Sequence, residues 1–308
     1  MDRLGELQVF VAVAESGSFV GASRQLNLSP PAITRAVAAL EARLGVRMFT
    51  RTTRAVRLTD KGEEFVGTAR RLLQDFAAAE QEVTGESDAP AGVLTLSASV
   101  TFGRYMLAPI VSDFLARHRA VDVSMLLVER LVDMVDEGID LTVRIAHLPD
   151  SSLVARRIGD VRRMLVASPD YLAARGAPAR PADLAEHDVI AFTGLLRNGT
   201  WRFGDDADGQ RIEIVPRLEV NDAATTITAV EAGEGITGVY SYMVHDALAA
   251  GRLVPVLTEF APGPVPVHLI RPQGRFVSPR VRAFMDYAAP RLTATLAGIG
   301  GAGADQSS

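Results

Sequence analysis

Between Ser18 and Leu44 the chain reads SFVGASRQLNLSPPAITRAVAALEARL, and no other stretch restricts its possible folds so closely. The pattern predicts two short helices joined by a tight turn. Ser18 is a good N-cap, and Phe19, Ala22 and Leu26 share one face at i, i+3 and i+7. Asn27 tolerates the left-handed conformation that ends a helix. Ser29 then caps a second helix. Pro30 and Pro31 fill its first two positions, where backbone N–H groups have no intrahelical partner and proline costs little. Ile33, Val37, Leu40 and Leu44 make its apolar stripe, and the opposite face shows Pro31, Thr34, Arg35 and Ala38. That small, uncluttered face with one cation suits a DNA major groove. Ser29, Pro30 and Pro31 lead into it, and Thr34 and Arg35 can reach base edges. An ordinary helical hairpin inside a core would carry much the same local pattern, because this geometry is weakly encoded.

Charge separates the two readings. The 308-residue chain has a net charge of −5, yet residues 1–62 hold nine Arg or Lys against five acids, which makes this segment +4 and the remainder −9. A basic head on an acidic body fits a nucleic-acid-binding module joined to something else. Cysteine is absent, which excludes disulfides and cysteine–zinc sites and fits a reducing cytoplasm. Met1 leads straight into an amphipathic helix expected from about Asp2 to Glu15, with no signal peptide, and no apolar run is long enough to span a bilayer. A cytoplasmic protein is expected.

Gly45 stops the second helix, and MFTRTTRAVRLT, Met48 to Thr59, alternates like a short hairpin with Arg51, Arg54 and Arg57 three apart. Arginines on such a wing reach phosphates or a narrow minor groove; the plainer alternative is a solvated basic loop. Thr59 caps a long helix to about Glu86, with Asp60, Glu63 and Glu64 suiting its dipole. Phe65, Ala69, Leu72, Phe76, Ala79 and Val83 recur at 4, 3, 4, 3, 4, a heptad seam that predicts a dimerisation helix. A core helix of the following domain is the alternative.

TGESDAPAG, Thr84 to Gly92, reads as a hinge. Beyond it strands and helices alternate, including GVLTLSAS, VDVSMLLV, a short helix at LVDMVDEG, DLTVRIA, a helix over Pro169 to Arg175, DVIAF, a helix over Ala223 to Ala232, ITGVY, VPVHLI and a closing helix from Pro279 to Leu296. Such alternation predicts α/β architecture with mainly parallel sheets. Gly298 to Ser308 is expected to fray.

Taken together, FVAVAESGSFVGASRQLNLSPPAITRAVAALEARLGVRMFTRTTRAVRLTDKG and, more loosely, DEGIDLTVRIAHLPDSSLVARRIG, ASPDYLAARGAP, HDVIAF, EAGEGITGVY, GRLVPVL and SPRVRAFMDY resemble the LysR-type transcriptional regulators over nearly the whole chain. The resemblance implies an α/β protein with an N-terminal all-α winged helix–turn–helix (1–59), a linker and dimerisation helix (60–87) and a two-lobed, periplasmic-binding-protein-like effector domain (92–297). Lobe I would join about 92–163 and 268–297, lobe II would be about 164–267, and 298–308 would be a tail. It implies double-stranded DNA as partner, a homodimer assembling as a dimer of dimers, RNA polymerase as a further partner, and a small-molecule effector in the interlobe cleft with no other cofactor. Two departures stand out: Pro31, where glutamine is frequent, offers only apolar contact to a base, and Tyr240 stands where proline is frequent.

Candidate effector residues follow from where strands end. Ser99, Val100 and Thr101 open a helix after the first effector-domain strand, and free N–H groups there can hold a carboxylate. Val128 and Arg144 lie at the ends of two further strands, where ligands favour α/β folds. Arg144 would pair with an anionic effector or sit in an internal salt bridge. Thr193, Asn221 and Thr225 are the lobe II candidates, whereas Trp201 and Phe203 read as packing residues. The five histidines are too scattered for a metal site. No nucleophile elbow, P-loop or dinucleotide fingerprint is present, and GEGITG leads from a helix into a strand, the wrong order for a phosphate cradle. A solute-binding protein would need a signal peptide and no basic head. An enzyme would need a converging acid, base or nucleophile set. The expected function is therefore a DNA-binding regulator switched by a small molecule.

Overall fold

The computed structural model describes residues 1–51, 56–84, 89–148, 153–196, 199–204, 209–273 and 277–301. It divides into two compact units, Met1–Val93 with Phe276–Arg280, and Leu94–Arg275 with Val281–Ser308.

In the first unit α1 (Arg3–Ser16), α2 (Phe19–Gln25) and α3 (Pro30–Leu44) precede a two-stranded antiparallel hairpin, β1 (Phe49–Arg51) and β2 (Val56–Leu58), and α4 (Asp60–Thr84). The caps form where the residue types demand them. Asp2, Ser18 and Ser29 accept from Gly5, Gly21 and Ala32 N–H, and Gly17, Gly45 and Asn27 take positive φ. Each such cap is worth about 1 kcal/mol. Val9, Phe10, Val13, Ile33, Val37 and Leu40 close the core without exposure, and Phe10 meets the rings of Phe49 and Phe65 at 5.4 and 5.6 Å. Leu44, expected in the apolar stripe, is 39% exposed, and Ala36 completes the stripe instead.

The second unit holds a five-stranded sheet in the order β4 (Val121–Leu127), β3 (Gly92–Ala98), β5 (Leu141–Ile145), β14 (Val265–Pro272) and β6 (Leu153–Val161). A three-stranded sheet runs β12 (Ile236–Tyr240), β7 (Arg163–Ala167), β13 (Val254–Val256). Two smaller pairs complete the strands: β8 (Ile190–Phe192) with β11 (Leu218–Val220), parallel, and β9 (Thr200–Phe203) with β10 (Gln210–Glu213), antiparallel. The larger sheets are not mainly parallel: the five-stranded one is mixed, with β3 and β5 parallel but β14 antiparallel to β5 and β6, and the three-stranded one is antiparallel throughout. Helix α5 (Val100–Phe102) continues through one π-helical turn into α6 (Ala108–Arg117); α7 (Pro169–Arg175), α8 (Ala223–Glu231), α9 (His245–Ala249) and α10 (Pro279–Gly301) follow. Among the described residues no helix is long and apolar enough to cross a membrane.

Three boundaries differ from expectation. The lobe break expected at 267/268 falls inside β14, whose pairing with β5 and β6 puts Val265–Val267 in the five-stranded sheet. LVDMVDEG is a run of turns, not a helix. There the Asp133 carboxylate accepts from Val135 and Asp136 N–H at 2.9 and 3.0 Å, and Arg130 grips Glu137 through two bonds of 2.7 and 2.6 Å. Local side-chain bonds of this kind compete with helical ones. Finally, α10 runs on to Gly301, past the expected start of fraying.

Candidate functional site

On α3 the burial alternates as a reading helix requires. Ile33, Ala36, Val37 and Leu40 face the core, while Ser29, Pro30, Pro31, Thr34 and Arg35 are exposed. The Thr34 hydroxyl donates to the Pro30 carbonyl at 3.1 Å, which leaves its lone pairs outward. The acids of residues 1–44 are spent internally. Glu6 pairs with Arg43 at 2.8 Å, Glu15 with Arg70 at 3.0 Å, and Asp2 caps α1. Glu41 accepts from the backbone N–H of Met48 and Phe49 at 2.8 and 3.2 Å, tying α3 to the start of β1. Arg24, Arg35, Arg47 and Arg57 are left exposed without an ion pair among the described residues. An exposed face with one central unpaired guanidinium and several around it can bind phosphates and read a base edge. Arg51 ends β1, and the expected wing-tip Arg54 lies outside the described residues.

The seam predicted on α4 divides. Phe65 and Ala69 pack into the core of their own unit, joined by Val66 and Leu73, and Ala69 is fully buried. Leu72 and Phe76 point away, 50% and 46% exposed. The seam is thus two stripes, the first covered within the chain, the second open. The side chains of Ala79 and Val83 lie outside the described residues. A 3.5-residue spacing alone cannot separate the two, because α1 covers one side of the same helix.

In the second unit the ends of β3, β4, β5, β8 and β12 enclose a cavity of about 120 Å³, lined among others by Ser99, Val128, Glu129, Arg144, Phe192 and Tyr240. Val128 is drawn there by its N–H bond to the Ala98 carbonyl at 3.0 Å. Ser99 caps α5 through its backbone but not its side chain, and its hydroxyl interacts with Tyr242. Beside it the Tyr242 hydroxyl is buried without a partner of hydrogen-bond geometry among the described residues, and burial pushes that phenol far above its ordinary pKa. Arg144 makes no ion pair among the described residues, so its guanidinium is available to the cavity. The helix start itself is taken. Val100 N–H donates to the Glu129 carboxylate at 3.0 Å, the place where an effector carboxylate was expected. Partial removal from water raises the Glu129 pKa, with Asp222 adding to the rise and the Val100 N–H opposing it.

The other candidates are not among the cavity's lining residues. Thr101 is buried. Thr193 is held by its N–H bond to the Val220 carbonyl, and Asn221 is exposed. The Thr225 hydroxyl and N–H both donate to Asp222, at 2.7 and 2.9 Å, as the cap of α8; these bonds lower the Asp222 pKa. Thr225 therefore serves its own helix. Trp201 and Phe203 are buried in a core cluster, as expected of packing residues. Sequence reasoning missed Glu129, whose role depends on a strand end placing it against a helix start 29 residues earlier. Among the described residues no group of three or more His, Cys, Asp or Glu could hold a metal ion.

Residues 4–63 match the family described as "Bacterial regulatory helix-turn-helix protein, lysR family", and residues 87–293 match "LysR substrate binding domain". The HTH-type transcriptional regulator CrgA of Neisseria meningitidis is 33% identical over 294 residues, covering 95% of this chain and 98% of that protein. The HTH-type transcriptional regulator PtxR of Pseudomonas aeruginosa is 34% identical over 92% of this chain and 91% of its own. The solved structure of CrgA, described as a LysR-type transcriptional regulator, superposes with a TM-score of 0.61 over 95% of this chain and 99% of that one. Full-length AphB of Vibrio cholerae, 27% identical, gives 0.58 over 93% and 98%. With both family matches in register with the two units and relatives spanning nearly the whole length, the chain belongs to the LysR family: it is a DNA-binding transcriptional regulator, not an enzyme, with a small-molecule-binding regulatory domain.

Proposed function

We propose that this regulator is a cytoplasmic homodimer, assembled as a dimer of dimers, that reads operator DNA with α3 and the β1–β2 wing. A small effector held near Ser99, Val128 and Arg144 changes its grip on that DNA and its contact with RNA polymerase. The observation that carries the DNA-reading role is the exposed α3 face, where Arg35 stands unpaired among the described residues while every acid of α1 and α3 has a partner. The open Leu72–Phe76 stripe supports dimerisation, since apolar side chains of that size gain about 1.5–3 kcal/mol each on full burial. The effector acts only if it binds one arrangement of the protein better than another. Selecting genomic DNA fragments on the full-length protein, with and without metabolite extract, tests the reading. A defined fragment set that changes with extract is expected; retention of random DNA that extract does not alter would overturn it.

A further inference from the structure

Next to the cleft, and sharing Gly194 and Tyr240 with it, lies a larger cavity of about 380 Å³. Its lining includes Arg163, Arg202, Arg211 and His147, and no Asp or Glu among the described residues that line it. Strand alternation explains the concentration of charge. In the β9–β10 hairpin Trp201, Phe203 and Ile212 turn toward the apolar cluster, which sends Arg202 and Arg211 to the other face. There the two arginines are direct cross-strand partners. Glu213, on the same face, opposes Thr200 and is not part of the lining. Arg163, the first residue of β7, comes from a different sheet, and its Nε is buried without a hydrogen-bond partner among the described residues. Neither Arg163 nor Arg211 makes an ion pair among them.

We infer that this cavity is an anion site adjoining the Ser99–Arg144 cleft, and that the effector is a multivalent anion whose two or more carboxylate or phosphoryl groups reach from that cleft into it. The planar guanidinium forks of Arg163 and Arg211 suit such a ligand, since a monoanion would match only one of these two cations. This inference rests on the reading that a small molecule controls the protein. The test is calorimetric titration of the full-length protein with citrate and with pyrophosphate, against acetate at matched ionic strength. Saturable binding of at least one polyanion, absent for acetate, is expected. Arg163→Gln and Arg211→Gln should each weaken it about tenfold or more, while Arg180→Gln, a surface arginine paired with Asp183, should not. Binding of citrate alone identifies carboxylate chemistry, and of pyrophosphate alone phosphoryl chemistry. Should Arg163→Gln fold poorly, the exposed Arg211→Gln decides by itself. Binding of neither polyanion, or binding that Arg211→Gln leaves intact, overturns the inference. If the protein then still answers a neutral compound from metabolite extract, the proposed function stands without it.

Discussion

The face proposed to read DNA and the cleft proposed to hold the effector solve opposite problems with similar residues. On α3 the side chains proposed to read DNA lie within one helix, Ser29 to Arg35, and the helix needs only a core behind it. In the cleft Ser99, Val128 and Arg144 come from the ends of three strands and meet only because β4, β3 and β5 are neighbours. Helix ends also differ. The start of α3 is closed by its own Ser29, whereas the start of α5 is closed by the distant Glu129. A local site survives any change that spares its helix; an assembled one depends on every element that supplies a wall.

The largest expected effect lies where neither type of site is complete in one chain. Leu72→Asp with Phe76→Asp puts two charges on the open stripe of α4 and should break the dimer, lowering operator affinity by about 10²-fold or more as avidity is lost. Light scattering should report a smaller particle; an unchanged particle size would assign the stripe to something other than self-association.

Next in size is the local site. Arg35→Ala should cost about 1–3 kcal/mol of discrimination between the specific site and random DNA, leaving weak, salt-sensitive binding behind. Competition against random DNA measures it, and an unaltered specificity ratio would remove Arg35 from the readout.

The assembled site predicts a contrast within one helix turn. Ser99→Ala with Arg144→Gln should weaken binding of the effector recovered from metabolite extract by about tenfold or more, with operator affinity in its absence preserved. Thr101→Val, two residues along but buried, should change effector affinity little. The reverse ranking in a titration would move the ligand to the other side of α5.

The smallest effect concerns Glu129. Its pKa is raised in the folded protein, so ionisation is harder there than in the unfolded chain. Its charge therefore costs stability that appears as pH rises through the unfolded pKa and is complete above the folded one. Glu129→Gln keeps an acceptor for Val100 N–H and should raise the melting temperature at pH 7.5 by less than about 3 °C. Below both pKa values the gain should vanish, and solvent exposure keeps the effect small. A gain that persists at low pH would point to packing instead.

Much of this protein is written locally. Caps at Ser18 and Ser29, positive φ at Asn27 and Gly45, the prolines at the start of α3 and its apolar stripe all follow from neighbours in the chain. The surplus of arginine in the first 62 residues and the outward face of Pro31, Thr34 and Arg35 follow from the same reading. Tertiary structure decided the rest. It split one heptad spacing on α4 into a covered and an open stripe, because α1 occupies one side. The helix expected at 131–138 gave way to local bonds instead, with Asp133 accepting from Val135 and Asp136 N–H and Arg130 gripping Glu137. The fold filled the start of α5 with Glu129 and gathered Arg163, Arg202 and Arg211 from three strands around one cavity. Local rules extend over one helical turn or one strand pleat. Which strand ends become neighbours is set by the whole sheet order, so the sequence by itself determined α3 and its exposed face, and only the fold determined the cavity proposed to hold the effector.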